Sequence, residues 1–414
     1  MTRMRRALRV CLALGLAVAA AWTAGATQAG RQPAVILISF DGFRPDYIDR
    51  FDTPALHQLM QSGVRAEHLV PVFPTKTFPN HYTMVTGLYP DRHGIVFNDM
   101  FDPVWRRRFD PGAIGTREYD EWWDGEPIWV TVRKQGGVSS TMFWPGSDAA
   151  IHGWRPTDWS PYDGSMTNEA RVQRVLGWMD RPAGTRPSVI TLYLSDADDV
   201  GHRLGPASAE VGGAVRRLDA AVGAIVAGLE SRKMLEQTDM IVVSDHGMAE
   251  TSPERVIFLD DEIAMADVDV SDWTPVASIW PKPGREDAVY EKLRGAHPHL
   301  SVYRKSELPA RWRFGSHRRV APILGVADEG WSIGTRREFE SVKSRWNYGN
   351  HGYDNALASM RAIFIARGPS FRRGAVAPPF ENIHLYELLC RVLGVRPMPN
   401  DGRLEAAAGV LNER

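Results

Sequence analysis

Four short stretches carry side chains able to do chemistry at a charged oxygen centre. Asp245-His246-Gly247 sets a carboxylate beside an imidazole, two ligand types that one divalent metal accepts together. The ordinary alternative is a turn in which the aspartate caps the segment that follows. Asp198-Asp199-Val200-Gly201-His202 spaces Asp198 and His202 by one helical turn, which stacks them on one side. Asp199 is a rival ligand, Asp196 a poorer one, and a solvated acidic turn would read the same way. His351 stands alone among turn residues in Asn350-His351-Gly352-Tyr353 and gains meaning only where other ligands wait for a further one. In Pro74-Thr75-Lys76-Thr77-Phe78-Pro79-Asn80-His81-Tyr82, Thr77 precedes a helical pattern that runs to Gly87, with Pro79 in its first turn. Thr77 is there either an N-cap or a nucleophile. A hydroxyl at a helix N-terminus faces unpaired N–H groups, which favour phosphate oxygens and developing negative charge. His81, one turn on, is a candidate base for it, unless a metal activates the hydroxyl directly.

Such groups need rigid elements to bring them together. Ala34–Phe40 is a nearly continuous apolar run that ends at Asp41-Gly42, the pattern of a strand buried on both faces. Further strand candidates lie at 139–143, 189–194, 240–244 and 362–366. Helical patterns fall at 53–61, 128–134, 168–179, 207–229 and 383–393. The alternation predicts an α/β fold with a mainly parallel sheet and helices on both faces. Ligands of such sheets bind beyond the carboxyl ends of the strands. Three strand candidates end there in metal-capable groups: Asp41, the Ser195-Asp196-Ala197-Asp198 run, and Asp245-His246. Their coincidence points to one convergent site. The stretch of about 251–346 reads differently, with Pro-rich turns, strand-like runs at 276–280 and 300–303 and a helix near 285–294. It is expected to be an inserted, smaller α+β subdomain, with return to the main sheet near Tyr348.

The N-terminus reads as a targeting segment. Arg3, Arg5, Arg6 and Arg9 precede an apolar run over 10–22, and small residues around 24–29 offer cleavage sites. Residues 1–29 are expected to be a signal peptide, and 30–414 a catalytic domain exported to a bacterial periplasm or beyond. The apolar run is too short to span a bilayer comfortably, so the mature chain is expected to have no membrane span. Cys11 falls inside the signal, which leaves Cys390 alone, without a disulfide partner. The formal net charge of -1 supplies no global field for nucleic acid, so attraction for an anionic substrate must come from metals or a few placed cations.

In chain order, Ile38-Ser39-Phe40-Asp41-Gly42-Phe43-Arg44, the run from Phe73 to Tyr82, Thr86-Gly87-Leu88-Tyr89-Pro90 and His93-Gly94-Ile95-Val96-Phe97-Asn98 are followed by Asp198 to His202 with Gly205-Pro206, Ser244-Asp245-His246-Gly247-Met248 and Gly349-Asn350-His351-Gly352-Tyr353-Asp354-Asn355. Together, from about Val35 to Phe371, they resemble the nucleotide pyrophosphatase/phosphodiesterase family of the alkaline phosphatase superfamily. The resemblance implies an alkaline-phosphatase-like α/β fold and two zinc ions. One would be held by Asp198, His202 and His351, the other by Asp41, Asp245, His246 and the oxygen of Thr77. Such mixed nitrogen and oxygen ligation also suits manganese or iron. Thr77 would be the nucleophile. Asn98 and the Phe78 N–H would hold a non-bridging phosphate oxygen. Phe78 and Tyr162 would form a slot for the base, Tyr162 on the short match Tyr162-Asp163-Gly164-Ser165.

The implied activity is metal-dependent hydrolysis of phosphodiester or pyrophosphate bonds of nucleotides, releasing nucleoside 5'-monophosphates through a covalent threonyl intermediate. Two metals about 4 Å apart can clamp the attacking and leaving oxygens of an in-line displacement. The nearest rivals are a phosphomonoesterase and a lipid or choline phosphodiesterase on the same fold. A rival of another class is a non-catalytic metal-binding protein, whose mark would be a missing ligand or nucleophile; every position is filled here. A monoesterase needs a further cation for the third phosphate oxygen, and Lys76 and Arg44 are the candidates nearest in sequence. The expected partner is a small nucleotide or other phosphodiester, with no stable nucleic-acid partner.

Overall fold

A computed structural model of the chain describes residues 34–413. The expected signal peptide and Cys11 lie outside the described residues. The strands that matter for the site are β1 (Ala34–Phe40), β2 (Val64–Ala66), β3 (Ser139–Met142), β4 (Val189–Leu194), β5 (Thr238–Val243), β6 (Val268–Val270), β7 (Val276–Pro281), β8 (Leu300–Arg304), β9 (Ile323–Ala327), β10 (Phe364–Arg367) and β11 (Ala375–Ala377). The helices are α1 (Pro54–Ser62), α2 (Thr77–Thr86), α3 (Ile128–Lys134), α4 (Asn168–Met179), α5 (Asp196–Leu204), α6 (Ala209–Ser231), α7 (Glu286–Leu293), α8 (Arg336–Val342) and α9 (Leu385–Leu393).

A seven-stranded sheet runs in the order β11-β2-β10-β5-β1-β4-β3. β1 pairs in parallel with β5 and β4, and β4 with β3. β10 is reversed against both β5 and β2, so the sheet is mainly, not wholly, parallel. All seven residues of β1 are buried, because helices cover both faces. Val35 and Leu37 share a core with residues of α2, α3 and α9. Ile36, Ile38 and Phe40 pack on the other side with α1, α4 and α6. On α6, Val211, Val215, Leu218, Val222, Ile225 and Leu229 recur at helical spacing, and all are buried. Thr167 starts α4 by accepting from the Ala170 N–H. Cys390, on α9, is a buried packing residue whose thiol burial pushes up to about 12.

Between β5 and β10 the chain builds a second, antiparallel sheet, β6-β7-β9-β8, with α7 beside it. One side of this sheet presents Ala277, Ile279 and Ile323 to a core of its own that includes Val289 and Leu293 of α7. The other side presents Val276, Leu324 and Val326 to the core of the main sheet. The smaller sheet is therefore docked on apolar contact, as the period-two alternation of its strands requires.

A buried guanidinium adds a polar fastening. Arg319, in the loop before β9, is fully buried. Its Nε donates to Asp102 Oδ2 at 2.9 Å, and its Nη1 to the carbonyls of Gly94 and Trp122, each at 2.8 Å. Nη2 donates to the Glu121 carbonyl at 2.9 Å. The smaller sheet is thereby tied to the loop of residues 94–102, which carries Asn98. Replacing Arg319 with methionine strands these acceptors in a dry environment. The expected cost is roughly 3–5 kcal/mol of folding stability, read as a lower midpoint in urea denaturation; an unchanged midpoint would contradict this role.

Candidate active site

The parallel register brings the three polar strand ends to one edge of the sheet. Ser39 of β1 lies beside Tyr193 of β4 and Val243 of β5, so Asp41, Asp198 and Asp245 leave the sheet together. Gly42 then turns with φ +65°, and a Cβ there would stand 3.0 Å from the Asp198 Cβ. That close approach demands glycine. The Gly42 N–H donates to Asp245 Oδ1 at 3.1 Å. α5 starts at Asp196, so Asp198 and His202 share one side of its first turns, with His202 Nε2 3.4 Å from Asp198 Oδ1. His351 arrives from the far end of the chain. Gly349, two residues before it, lies so close to α5 that a Cβ would meet the Gly201 carbonyl at 2.3 Å.

The imidazoles share a design. His202 Nδ1 donates to the Gly349 carbonyl, His246 Nδ1 to the Gly247 carbonyl and His351 Nδ1 to the Thr75 carbonyl, at 2.8, 2.9 and 2.8 Å. A proton held at Nδ1 leaves each Nε2 as a lone-pair donor, and the backbone fixes its direction. His246 Nε2 lies 2.9 Å from Asp245 Oδ2, 3.4 Å from Asp41 Oδ1 and 3.2 Å from Thr77 Oγ1. His351 Nε2 lies 3.7 Å from Asp198 Oδ1, and the His246 and His351 rings stack with centroids 3.5 Å apart. Ligand atoms of Asp41, Asp245 and His246 fall within 4.8 Å of one another, as do those of Asp198, His246 and His351.

Whether these groups fit metal ions is a matter of unmet polar valence. Asp41 Oδ1, Asp198 Oδ1 and Asp245 Oδ2 are buried without a hydrogen-bond partner. Burial, then the neighbouring carboxylates of Asp245 and Asp198, pushes Asp41 well above the usual carboxylate range. Burial likewise raises Asp198, against the pull of His202 and His246. At Asp245 burial pushes upward too, but His246 and His81 outweigh it and hold the group well below its ordinary value. His351 is held well below the imidazole range by burial and by His246 and His202. Three carboxylates crowded in a dry site are costly alone, and divalent cations relieve that cost. The donor set fits.

Thr77 does not serve as an N-cap. It is the first residue of α2, Lys76 occupies the cap position, and no side chain caps the helix. Its hydroxyl is thus left to the cluster. The His81 ring, a candidate base by its spacing, is spent elsewhere. It bonds the Thr77 carbonyl through Nδ1 and the Ser39 hydroxyl through Nε2, at 2.9 and 2.8 Å, and its Nδ1 stands 3.3 Å from Asp245 Oδ2. His81 positions the turn rather than the hydroxyl. Asn98 Oδ1 accepts the Phe78 N–H at 2.9 Å, so the N–H expected to meet a phosphate oxygen is engaged by Asn98 instead, and the bond orients the amide with Nδ2 as a donor.

Beside Thr77 opens a cavity of about 280 Å³ with Phe78, Trp144 and Tyr162 among its walls and the Arg117–Asp148 ion pair at its edge. Phe78 is backed by Phe109 and Trp123, and Tyr162 by Phe143 and Tyr193. All ten residues singled out from sequence, Asp41, Thr77, Phe78, Asn98, Tyr162, Asp198, His202, Asp245, His246 and His351, therefore belong to one neighbourhood. Two supports went unread. The Tyr193 hydroxyl donates to Asp41 Oδ2; a polar-tipped ring in the mostly aliphatic strand Val189–Leu194 was the available signal. Asn80 clamps the loop before Thr77, accepting from the Val72 N–H and donating to the Pro74 and Lys76 carbonyls. Nothing in a lone helical asparagine announces that.

Comparison with known proteins follows the same lines. The profile of the family described as type I phosphodiesterase / nucleotide pyrophosphatase matches residues 35–354. Human ectonucleotide pyrophosphatase/phosphodiesterase family member 5 is 40% identical over 381 residues, covering 92% of this chain and 78% of the relative. A bis(5'-adenosyl)-triphosphatase of Xenopus laevis is 40% identical over 374 residues, covering 90% of this chain and 80% of the relative. A solved structure of the murine member 5, an inactive variant in complex with AMP, superposes with a TM-score of 0.87 at 40% identity, covering 92% of this chain and 100% of that one.

Proposed function

This chain belongs to the type I phosphodiesterase / nucleotide pyrophosphatase family and is a hydrolase of that class, and from that premise we propose that it cleaves nucleotide phosphodiester and pyrophosphate bonds through a covalent intermediate on Thr77, with two zinc ions. The observation that carries the reading is the uncapped Thr77 hydroxyl beside His246 and three buried carboxylates with unmet valence. Asp198, His202 and His351 would hold one ion; Asp41, Asp245, His246 and Thr77 the other. When bound, the ions supply a lowered hydroxyl pKa at the nucleophile and charge stabilisation for the departing oxygen.

The protein's own groups do the rest. The base enters the slot between Phe78 and Tyr162, which orients the nucleoside by stacking. Asn98 Nδ2 donates to a non-bridging oxygen and holds phosphorus in line with Thr77 Oγ1. The bond from Thr77 Oγ1 to phosphorus forms as the bridging P–O bond breaks, and its electron pair leaves with the departing oxygen, which takes up a proton. Water then attacks the threonyl ester, releasing a nucleoside 5'-monophosphate and restoring the hydroxyl.

A diester preference is supported by the fate of the two cations a monoesterase would recruit. Lys76 Nζ is bound to Asp272 at 2.9 Å and to the Thr274 carbonyl at 2.8 Å. Arg44 is bound to Asp46 at 2.8 Å and to the Met248 carbonyl at 2.9 Å. Both cations are engaged by partners within the protein. Turnover of the nitrophenyl ester of thymidine 5'-monophosphate should exceed that of nitrophenyl phosphate by at least about a hundredfold in kcat/KM, as two undirected charges imply; a monoester preference would overturn the assignment.

We take residues 30–414 as one catalytic domain with an inserted unit at about 251–346. Export rests on residues 1–29 alone. No helix among the described residues is long and apolar enough to cross a membrane. The relatives named above are animal proteins and lend nothing to the expected bacterial periplasm.

A further inference from the structure

Arg171 is a buried charge that the reaction does not use. It stands in the first turn of α4, enclosed by the fold. A guanidinium taken out of water needs compensation, ordinarily from a carboxylate. Here main-chain carbonyls supply it. Nε donates to Met166 at 3.0 Å, Nη1 to Tyr193 at 2.9 Å and Nη2 to Asp163 at 3.3 Å. Asp163 and Met166 are the two ends of one turn. The Met166 N–H donates to the Asp163 carbonyl at 3.3 Å, and the Asp163 carboxylate accepts from the Ser165 N–H at 2.9 Å. Tyr162 is the residue before that turn.

The third acceptor ties the turn to the main sheet. The Leu194 carbonyl faces β1, where it takes the Asp41 N–H at 2.9 Å, so the Tyr193 carbonyl faces the side of β3. β3 pairs with β4 only as far as Met142, opposite Leu192. The ladder has ended there, and Arg171 supplies the donor. The same cation lies over two rings, with its Cζ 5.2 Å from the centroid of Phe143 and 5.8 Å from that of Tyr162. Phe143, Tyr162 and Tyr193 all line the cavity beside Thr77.

The segment 159–166 forms no helix or strand, and Tyr162 is partly open to solvent. Its ring can form a wall only if the turn behind it is held. We propose that Arg171 is a positioning residue for substrate selection: its guanidinium fixes the turn next to Tyr162, and thereby sets how strongly the enzyme selects a diester that bears a base over one that does not. The inference rests on the base slot between Phe78 and Tyr162 proposed above. Arg171 itself touches no substrate. Three carbonyls in three directions require a planar fork, which a lysine ammonium does not provide.

The test compares two diesters with the same leaving group: the nitrophenyl ester of thymidine 5'-monophosphate and methyl nitrophenyl phosphate, which has no base. In Arg171→Met the ratio of their kcat/KM values should fall about tenfold, the worth of one stacked base. Arg171→Lys, which keeps the charge and loses the fork, should lower the ratio as well. Both values come from one preparation, so a smaller folded fraction cancels, and the lysine variant carries the test if the methionine variant does not fold. Tyr162→Ala should lower the ratio to a similar extent, and the double variant Tyr162→Ala/Arg171→Met no further, because one residue acts through the other. Binding supplies a second readout: in a Thr77→Ala background, Arg171→Met should weaken AMP about tenfold and ribose 5-phosphate much less. If Tyr162→Ala lowers the ratio and the Arg171 variants do not, or if the two effects simply add, the role of Arg171 is overturned and the slot stands. If Tyr162→Ala leaves the ratio unmoved, the slot is overturned and the inference with it.

Discussion

Thr77→Ala is expected to lose turnover by a factor on the order of 10³ to 10⁶, the range for a nucleophile whose neighbours cannot replace it. The size follows from geometry: Thr77 Oγ1 is the hydroxyl beside the cluster, and His81 is turned toward a carbonyl and Ser39. Because that hydroxyl caps no helix, its removal should cost no more than about 0.5 kcal/mol of stability. AMP binding should survive, since Phe78, Asn98 and Tyr162 are untouched. Rapid quenching of the wild type should trap a nucleotidyl adduct on the peptide that contains Thr77, detectable by mass spectrometry. Near-normal activity in the alanine variant, or an adduct on another residue, would refute the assignment.

Removal of metal should be nearly as severe. Dialysis against a strong chelator is expected to lower activity by at least about a hundredfold, with recovery on adding zinc. The same treatment should lower the melting temperature, because Asp41, Asp198 and Asp245 lose their counter-charge in a dry site. Ligands present at about a thousand times their Kd contribute about 4 kcal/mol, which for a domain of this size is a drop of roughly 5–10 °C. Scanning calorimetry of the two forms measures it. A chelated protein with full activity and an unchanged melting temperature would end the metal reading.

Legibility from sequence varied with the locality of the signal. Several main strands were readable because burial on both faces writes a nearly unbroken apolar run, as in Ala34–Phe40, whose end needs no partner to be recognised. The bounds of α3 and α4 agree with the helical patterns at 128–134 and 168–179; Pro127 precedes the first and Thr167 caps the second. Strands of three residues, β2 and β11, were not, because their hydrogen bonds are made with distant segments that carry no local mark. The reversal of β10 is likewise a property of the path that leads to it. At the site, ligand types and spacings were legible, whereas their supports were not. Tyr193 acts on Asp41 across a long sequence separation, and Asn80 on the loop just before its helix, through hydrogen bonds that only the folded chain defines. His81 shows the opposite error: helical spacing alone suggested a partnership that the ring's actual acceptors exclude.

The fastening at Arg319 has a bearing on how such a protein can be altered. Its guanidinium spans from the smaller sheet to the main chain at Gly94, Glu121 and Trp122, on either side of the loop that presents Asn98. Segments on both ends of that span are therefore heritable only as a set. A chimera that exchanges the smaller sheet for a cousin's must carry Asp102 and its loop across as well, or the grip proposed for Asn98 on a phosphoryl oxygen shifts along with the graft.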